Sequence, residues 1–358
     1  MNNIFEVLKI LNDNGYEAYF VGGYPRDLYM NKATIDYDIT TSATPKEIKE
    51  IFKDVNSEAY GCINFYYKGN KFEVTTFRKD IKYADNRKPI DIEYINDLKI
   101  DLMRRDFTMN TLCIDVNGNF IDYLNGRRDI DNKVIKVVGN TNKKLQEDAL
   151  RILRAIRFAT TLNFKLSKEL EEGIIKYGHL VKNLSYDRKK QELDKIFSSP
   201  NFDYGIKLIR DLNLEKPLEI NTYNLRKTTY LVGIWAQLDC KKYPFNKSEK
   251  ETIKKVRKLL NLDVLSKNNL YKYGLYISSI AAEIKGISID KINDIYSSLK
   301  IKTRNEIDIT PKEICDLFNE KPGGFINIVF TDLENKIIND NIKNDKKIIV
   351  NYLKETYL

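Results

Sequence analysis

The run Ala18-Tyr19-Phe20-Val21 reads as a buried strand and leads directly into the glycine turn Gly22-Gly23. Tyr24-Pro25-Arg26-Asp27-Leu28-Tyr29-Met30 follows as the first turns of a helix, with proline near its first position. Ten residues after Arg26, Ile35-Asp36-Tyr37-Asp38-Ile39 reads as a second strand carrying two acids. Few folds place a strand, a tight glycine turn, a helix and an acidic strand in that order. Strand side chains alternate between faces, so Asp36 and Asp38 project to the same side. That side can hold a divalent metal, close to a turn whose backbone N–H groups can bind phosphate. Phosphate with metal points to nucleotide chemistry.

Composition narrows the chemistry further. The single histidine, His179, excludes a histidine-rich metal centre and any Ser-His or Cys-His device not built on that residue. Cys62, Cys113, Cys240 and Cys315 are too widely spaced for a zinc knuckle or a disulfide framework. Metal held by carboxylate is the remaining economical route. At 358 residues the chain exceeds the usual single core, so two or more domains are expected. No apolar run is long enough to span a bilayer, and the amphipathic start Met1 to Ile10 lacks the pattern of a signal peptide, so a cytoplasmic protein is expected. The net charge of +9 favours a polyanionic partner without identifying it. Lys241 to Lys258 holds eight basic residues against two acids, and a solvated helix face and a phosphate-tracking patch are equally open readings.

Along the first 140 residues, short β-like runs alternate with helices. Strands are expected at Ala18 to Gly22, Asp36 to Thr41, Cys62 to Tyr67, Lys71 to Phe77, Leu112 to Val116 and Val134 to Val138. Gly69-Asn70 and Asn117-Gly118 supply hairpin turns. Arg78 to Ile92, with Asp80, Tyr83, Asp85, Arg87 and Pro89, reads as a long mobile loop beside the site. From Asn142 onward the apolar period is helical, interrupted near Pro200, Pro244, Pro311 and Pro322.

Three further constellations carry polar chemistry. Glu73 sits on a strand adjacent to the acidic one, as a third carboxylate or as an ordinary exposed strand glutamate. In Arg104-Arg105-Asp106-Phe107-Thr108, Asp106 or Thr108 can cap a helix while the arginines reach phosphate. In Glu147-Asp148-Ala149-Leu150-Arg151, continuing through Arg154 and Arg157, steps of three on one helix drift around its axis, so these residues cannot all meet one atom. Neighbouring Asp148 and Arg151 can present a carboxylate and a guanidinium side by side, an edge able to hydrogen-bond the Watson–Crick face of a base. An ion pair on a solvent face is the alternative.

In this order the four elements resemble the class II tRNA nucleotidyltransferases, the CCA-adding enzymes of bacteria and eukaryotes, within the polymerase-beta-like superfamily. The resemblance is continuous from about Tyr19 to Phe164 and weaker to the C-terminus. It implies an α+β protein: a nucleotidyltransferase head with a mixed sheet at 1–140, then a helical neck at 141–200, body at 201–305 and tail at 306–358. It further implies that Asp36 and Asp38 are catalytic and bind two Mg2+, and that Gly23 and Arg26 contact the incoming triphosphate. Arg105 and Asp106 would contact nucleotide and ribose. Asp148 and Arg151 would act as a protein template for CTP and then ATP, with Arg154 and Arg157 as further nucleotide contacts. The implied partners are the acceptor stem and 3′ end of tRNA. Pro25 in place of the usual valine, Tyr37 between the acids and Asp187-Arg188 in place of a Glu-Arg pair depart from the family pattern without removing a functional group. Gly323-Gly324-Phe325-Ile326 resembles a tail segment that packs against tRNA, and reads equally as an interhelical turn. A-adding or CC-adding enzymes, bacterial poly(A) polymerases and a non-catalytic RNA-binding module are the rival readings. The long segment after Arg78 argues against CC-only addition.

Overall fold

The computed structural model describes residues 4–52, 55–59, 61–84 and 88–358. Two compact units are present, Met1–Ile220 and Asn221–Leu358. The first opens with α1 (Phe5–Asp13), then β1 (Ala18–Val21), α2 (Gly23–Tyr29), β2 (Tyr37–Thr41) and α3 (Pro45–Ile51). It continues with β3 (Val55–Ala59), β4 (Cys62–Tyr67), β5 (Asn70–Thr76), β6 (Arg78–Ala84), β7 (Lys88–Tyr94) and α4 (Leu98–Met103). Next come β8 (Cys113–Ile114), β9 (Phe120–Ile121), α5 (Gly126–Asp131), β10 (Val134–Ile135), α6 (Thr141–Glu147) and α7 (Leu150–Leu162). β11 (Lys165–Leu166), α8 (Lys168–Tyr177), α9 (Tyr186–Phe197), α10 (Phe202–Asp211) and α11 (Glu215–Leu218) complete it.

Seven strands form one sheet in the order β3-β4-β5-β2-β1-β8-β9. Only β2 and β5 run parallel, so the sheet is mixed, as expected. Alternation gives it two unlike faces. Phe20, Ile39, Ile63, Phe65, Phe72 and Val74 point to a core closed by Val7, Leu8 and Leu11, which helical spacing places on one side of α1. Asp38, Glu73, Asn64, Thr75 and Cys62 alternate with those residues and turn to the other face.

The segment from Arg78 to Ile92 is not a loop but a two-stranded hairpin of β6 and β7. Its strand character lies in period-two alternation of Ile90, Ile92 and Tyr94 with Asp91 and Glu93, and register pairs Lys79 with Glu93 and Lys82 with Asp91. Asp85 and Arg87 lie outside the described residues. The runs at Leu112 and Val134 shorten to two residues each, and β3, β9 and β11 were not expected from the sequence. β3 and β9 are edge strands, where one-sided pairing tolerates polar sequences such as Val55-Asn56-Ser57-Glu58.

The second unit consists of α12 (Leu231–Gln237), α13 (Lys247–Leu260), α14 (Lys267–Lys285), α15 (Ile289–Ser298), α16 (Pro311–Phe318), α17 (Gly324–Ile338) and α18 (Lys346–Tyr357). Trp235 is buried against Tyr243 and Phe245. α13 starts on a capping box from Asn246 and Glu249 and buries Ile253, Val256 and Leu259. Its Lys250, Lys254 and Lys258 are exposed, whereas Arg257 donates to the Ala236 carbonyl at 3.0 Å. Gly323 is the N-cap of α17, so the glycine pair starts a helix. No helix among the described residues is long and apolar enough to cross a membrane.

Candidate active site

A cleft of about 510 Å³ in the first unit brings together Gly23, Arg26, Asp36, Asp38, Arg105, Asp106, Asp148, Arg151, Arg154 and Arg157. Arg78, Asp80, Arg104, Asn110, Phe158 and Lys195 complete its lining with Gly22. Seven arginines thus surround five aspartates, an environment suited to a highly charged anion carrying its own cation.

The glycine turn forms one wall. Gly22 has φ +80°, a backbone conformation that favours glycine, and a Cβ there would press on Asp38 Oδ2 at 3.2 Å. Gly23 begins α2, which carries Arg26 over its first turn. Arg26 is buried: Nε donates to Asp27 Oδ1 at 2.9 Å and NH1 to Asn110 Oδ1 at 2.7 Å.

Asp38 lies on β2 and Asp36 immediately before it, exposed. Burial raises the Asp38 carboxyl to about 7, reinforced by the negative charges of Asp36 and Glu73 and opposed by Arg105 and Arg154. Crowded like charges of this kind favour a bound cation. Glu73 stands in register with Asp38 across the β2–β5 pair, lining an adjoining cavity rather than the cleft. Among the described residues no three His, Cys, Asp or Glu side chains converge as a metal-holding group. Asp36 and Asp38 both line the cleft, and two carboxylates suit a divalent cation when substrate phosphates and water supply the remaining ligands.

The opposite wall comes from α4, α7 and the segment after α4. Asp106 accepts from Phe107 N–H at 2.7 Å and Asn110 Nδ2 at 3.1 Å on one oxygen, and from Arg154 Nε at 2.7 Å on the other. Burial alone would raise its pKa; the Arg154 charge and these hydrogen bonds reverse that and hold it at about 2. Asp106 is thus a permanent carboxylate that orients Arg154. Arg105 donates NH2 to Asp101 Oδ2 at 3.2 Å, and its buried Nε–H has no hydrogen-bond partner in the protein. Arg105 also lines the cleft, where a guanidinium suits an anionic oxygen.

The Asp148 and Arg151 edge is built differently from the single helix expected. Asp148 is extended (φ −146°, ψ 102°) and breaks α6 from α7, its Oδ1 accepting the Leu150 N–H at 2.9 Å. The break swings its carboxylate into the cleft, where burial raises its pKa against the nearby Arg151 charge. Arg151 NH1 donates to the Lys144 carbonyl at 2.7 Å, and NH2 makes a longer contact of 3.4 Å with the Arg104 carbonyl. Arg157 pairs with Glu192 at 2.7 Å.

Two organising residues escaped the sequence reading. Asp101, fully buried on α4, accepts from Arg104 Nε at 2.9 Å, Arg105 NH2 at 3.2 Å, Arg78 N–H at 3.2 Å and Thr40 Oγ1 at 3.1 Å. It therefore joins both arginines to the hairpin and to the strand that carries Asp38. Its signal was available: an acid three and four residues before two arginines shares their helix face. The second is Phe158, whose ring centroid lies 3.9 Å from the Arg157 guanidinium carbon, 5.3 Å from that of Arg26 and 5.4 Å from that of Arg154. One buried ring gathers two cations of its own helix and a third, Arg26, from α2 far away in sequence.

Residues 18–136 match the family described as poly A polymerase head domain, and residues 222–353 match tRNA nucleotidyltransferase domain 2. The CCA-adding enzyme of Bacillus cereus (strain AH820) is 30% identical over 388 aligned positions, covering 98% of this chain and 98% of that protein. That of Bacillus cytotoxicus has the same identity and coverage. The crystal structure of the Bacillus stearothermophilus CCA-adding enzyme in complex with CTP superposes with a TM-score of 0.83 at 25% identity, covering 99% of this chain and 96% of that one. The Thermotoga maritima CCA-adding enzyme complexed with tRNA shares the fold, with a TM-score of 0.73 at 21% identity over 99% and 95% of the two chains.

Proposed function

Because this chain belongs to the CCA-adding enzyme family, we propose that it adds C, C and A in turn to the 3′ end of tRNA from CTP and ATP, releasing pyrophosphate. The observation that carries this reading is the cleft itself, where an aspartate pair, a glycine turn and seven arginines share one space. Divalent metals are general in nucleotidyltransferases, and Mg2+ fits here. Asp36 and Asp38 would hold it, and when bound it supplies Lewis-acid activation of the 3′-hydroxyl and neutralisation of the triphosphate.

The remaining chemistry belongs to the chain's own groups. Gly23 N–H and the guanidiniums of Arg26, Arg154 and Arg157 orient the triphosphate so that the α-phosphorus faces the acceptor 3′-oxygen. The 3′-oxygen forms its bond to that phosphorus, the bond to the bridging oxygen breaks, pyrophosphate leaves and the hydroxyl proton passes to solvent. Arg105, which lines the cleft, holds a phosphate or ribose oxygen. Asp148 accepts from, and Arg151 NH2 donates to, the base edge; the long contact of that NH2 to the Arg104 carbonyl is readily exchanged. The head at 1–140 would join the nucleotide, the neck at 141–200 would choose it, and the body at 201–305 and tail at 306–358 would hold tRNA, in the cytoplasm.

The test uses tRNAs lacking all of CCA, lacking CA, or lacking only the final A, each incubated with protein and Mg2+ and labelled CTP or ATP, singly and together. Completion to CCA and no further is the expected product. Stopping after CC, adding only A, or extending a run of A would each replace this reading by the corresponding rival.

A further inference from the structure

Beside the nucleotide cleft lies a second cavity of about 450 Å³ that shares Asp38, Arg78, Arg104 and Arg105 with it and continues over Glu73 and Asn64. Strand register explains its floor. Asp38 pairs with Glu73 across β2 and β5, and Glu73 pairs with Asn64 across β5 and β4. At ~4.8 Å per strand, this polar row runs ~10 Å away from Asp38 along the open face of the sheet. The next row places Cys62 beside Thr75. Burial and the neighbouring Glu73 push the Cys62 thiol up to about 12, so it stays an uncharged liner. Away from the four shared residues the surface offers neutral donors and acceptors with one carboxylate, Glu73, unsuited to a triphosphate but suited to a ribose and a base.

Tyr66 extends the surface. It lies two residues past Asn64 on β4 and therefore on the same face, ~7 Å further along and within the reach of one ribose–phosphate unit. The residue is 62% exposed, and its register partner is the exposed Lys71. An exposed aromatic ring beside a cation is the combination that binds single-stranded nucleic acid without reading its sequence.

We propose that the open face of β4 and β5 seats the single-stranded 3′ end of the RNA acceptor, with the terminal nucleoside over Asn64 and Glu73 and the preceding base stacked on Tyr66. This deepens the nucleotidyl-transfer reading and rests on it. The two cavities then hold the two substrates and meet at Asp38, where the new bond forms. Lys71 lies beside the incoming phosphodiester.

The experiment compares wild type, Tyr66→Ala and Tyr66→Phe on tRNA ending in CC, with ATP as the donor, and on the same tRNA made abasic at the penultimate position. Loss of one base–aromatic stack raises the acceptor KM of Tyr66→Ala roughly 5- to 150-fold. The KM for ATP stays within about twofold, because the ring stands outside the nucleotide cleft. Tyr66→Phe retains the wild-type value, and the abasic acceptor erases the difference between wild type and Tyr66→Ala. An unchanged acceptor KM in Tyr66→Ala, a parallel rise in the KM for ATP, or an undiminished difference on the abasic acceptor would each overturn the proposal. Circular dichroism of the variants confirms folding, which an exposed side chain does not govern. Failure of the wild-type protein itself to extend the acceptor would instead remove the nucleotidyl-transfer reading.

Discussion

Substituting Asp101 by asparagine keeps the shape of the side chain and removes its charge from beneath two arginines. The carboxylate is fully buried, whereas the side chains of Arg104 and Arg105 are 15% and 17% exposed. Burial raises its pKa, and the charges of Arg105 and Arg104 outweigh that and hold it below the ordinary value. An amide can accept on one side only, so its NH2 must face either Arg104 and the Arg78 N–H, which share Oδ1 in the wild type, or Arg105 and Thr40, which share Oδ2. Removing one partner of a buried ion pair costs about 3–5 kcal/mol; partial access of the guanidiniums to cleft water lowers this to about 2–4 kcal/mol. For a unit of this size the thermal midpoint falls by roughly 4–16 °C, measurable by calorimetry. The perturbation also releases Arg105 and the start of the hairpin, so kcat/KM for CTP falls at least about tenfold in a steady-state incorporation assay. A lowered pKa stabilises the fold fully above the unfolded value, about 4, and that contribution is lost as pH falls through the folded value. The stability gap between wild type and Asp101→Asn is therefore constant from neutral pH to about 4 and narrows below it. Equal midpoints and equal kcat/KM at pH 7 would refute the role assigned to this residue.

Phe158→Leu keeps the core apolar and withdraws the ring from three guanidiniums; KM for CTP and for ATP should rise together by roughly 2- to 30-fold, at about 0.5–2 kcal/mol of lost cation–π attraction, and a rise for only one nucleotide would contradict it. Gly22→Ala forces a side chain into a left-handed backbone position and against Asp38, costing about 1–2 kcal/mol in denaturant titration and lowering incorporation; full activity would show that the turn tolerates a Cβ. Asp148→Ala and Arg151→Ala should blur the choice between CTP and ATP in competition assays, and a lower rate with selectivity preserved would count against the template role.

The polar alternation of β4 and β5, the glycine turn and the acidic strand were readable because each side chain's destination follows from local period and turn chemistry. Bringing the ten expected site residues into one cleft also required the chain's long-range path, which the order of motifs conveyed only through family resemblance. The hairpin after Arg78 was missed because its first strand opens Arg78-Lys79-Asp80-Ile81-Lys82, with one apolar residue in five, so the apolar contrast that marks a strand is weak there. The placement of Asp148 went wrong for a different reason. A short helix ends and another begins within a window that looks continuously helical, and the side-chain bond to Leu150 N–H decides the break. Helical spacing carries the pairing of Asp101 with Arg104 and Arg105, but not its bond to Thr40, 61 residues earlier, nor the contact of Phe158 with Arg26.

The most direct measurement of the central claim is incorporation of labelled CTP into tRNA lacking CCA by the Asp36→Ala, Asp38→Ala double variant, with tRNA binding by the same protein measured alongside. Loss of metal assistance worth about 4 kcal/mol or more predicts a fall of at least ~10³-fold in rate with tRNA affinity unchanged within about threefold. Incorporation at the wild-type rate by a variant that binds tRNA normally would contradict the account.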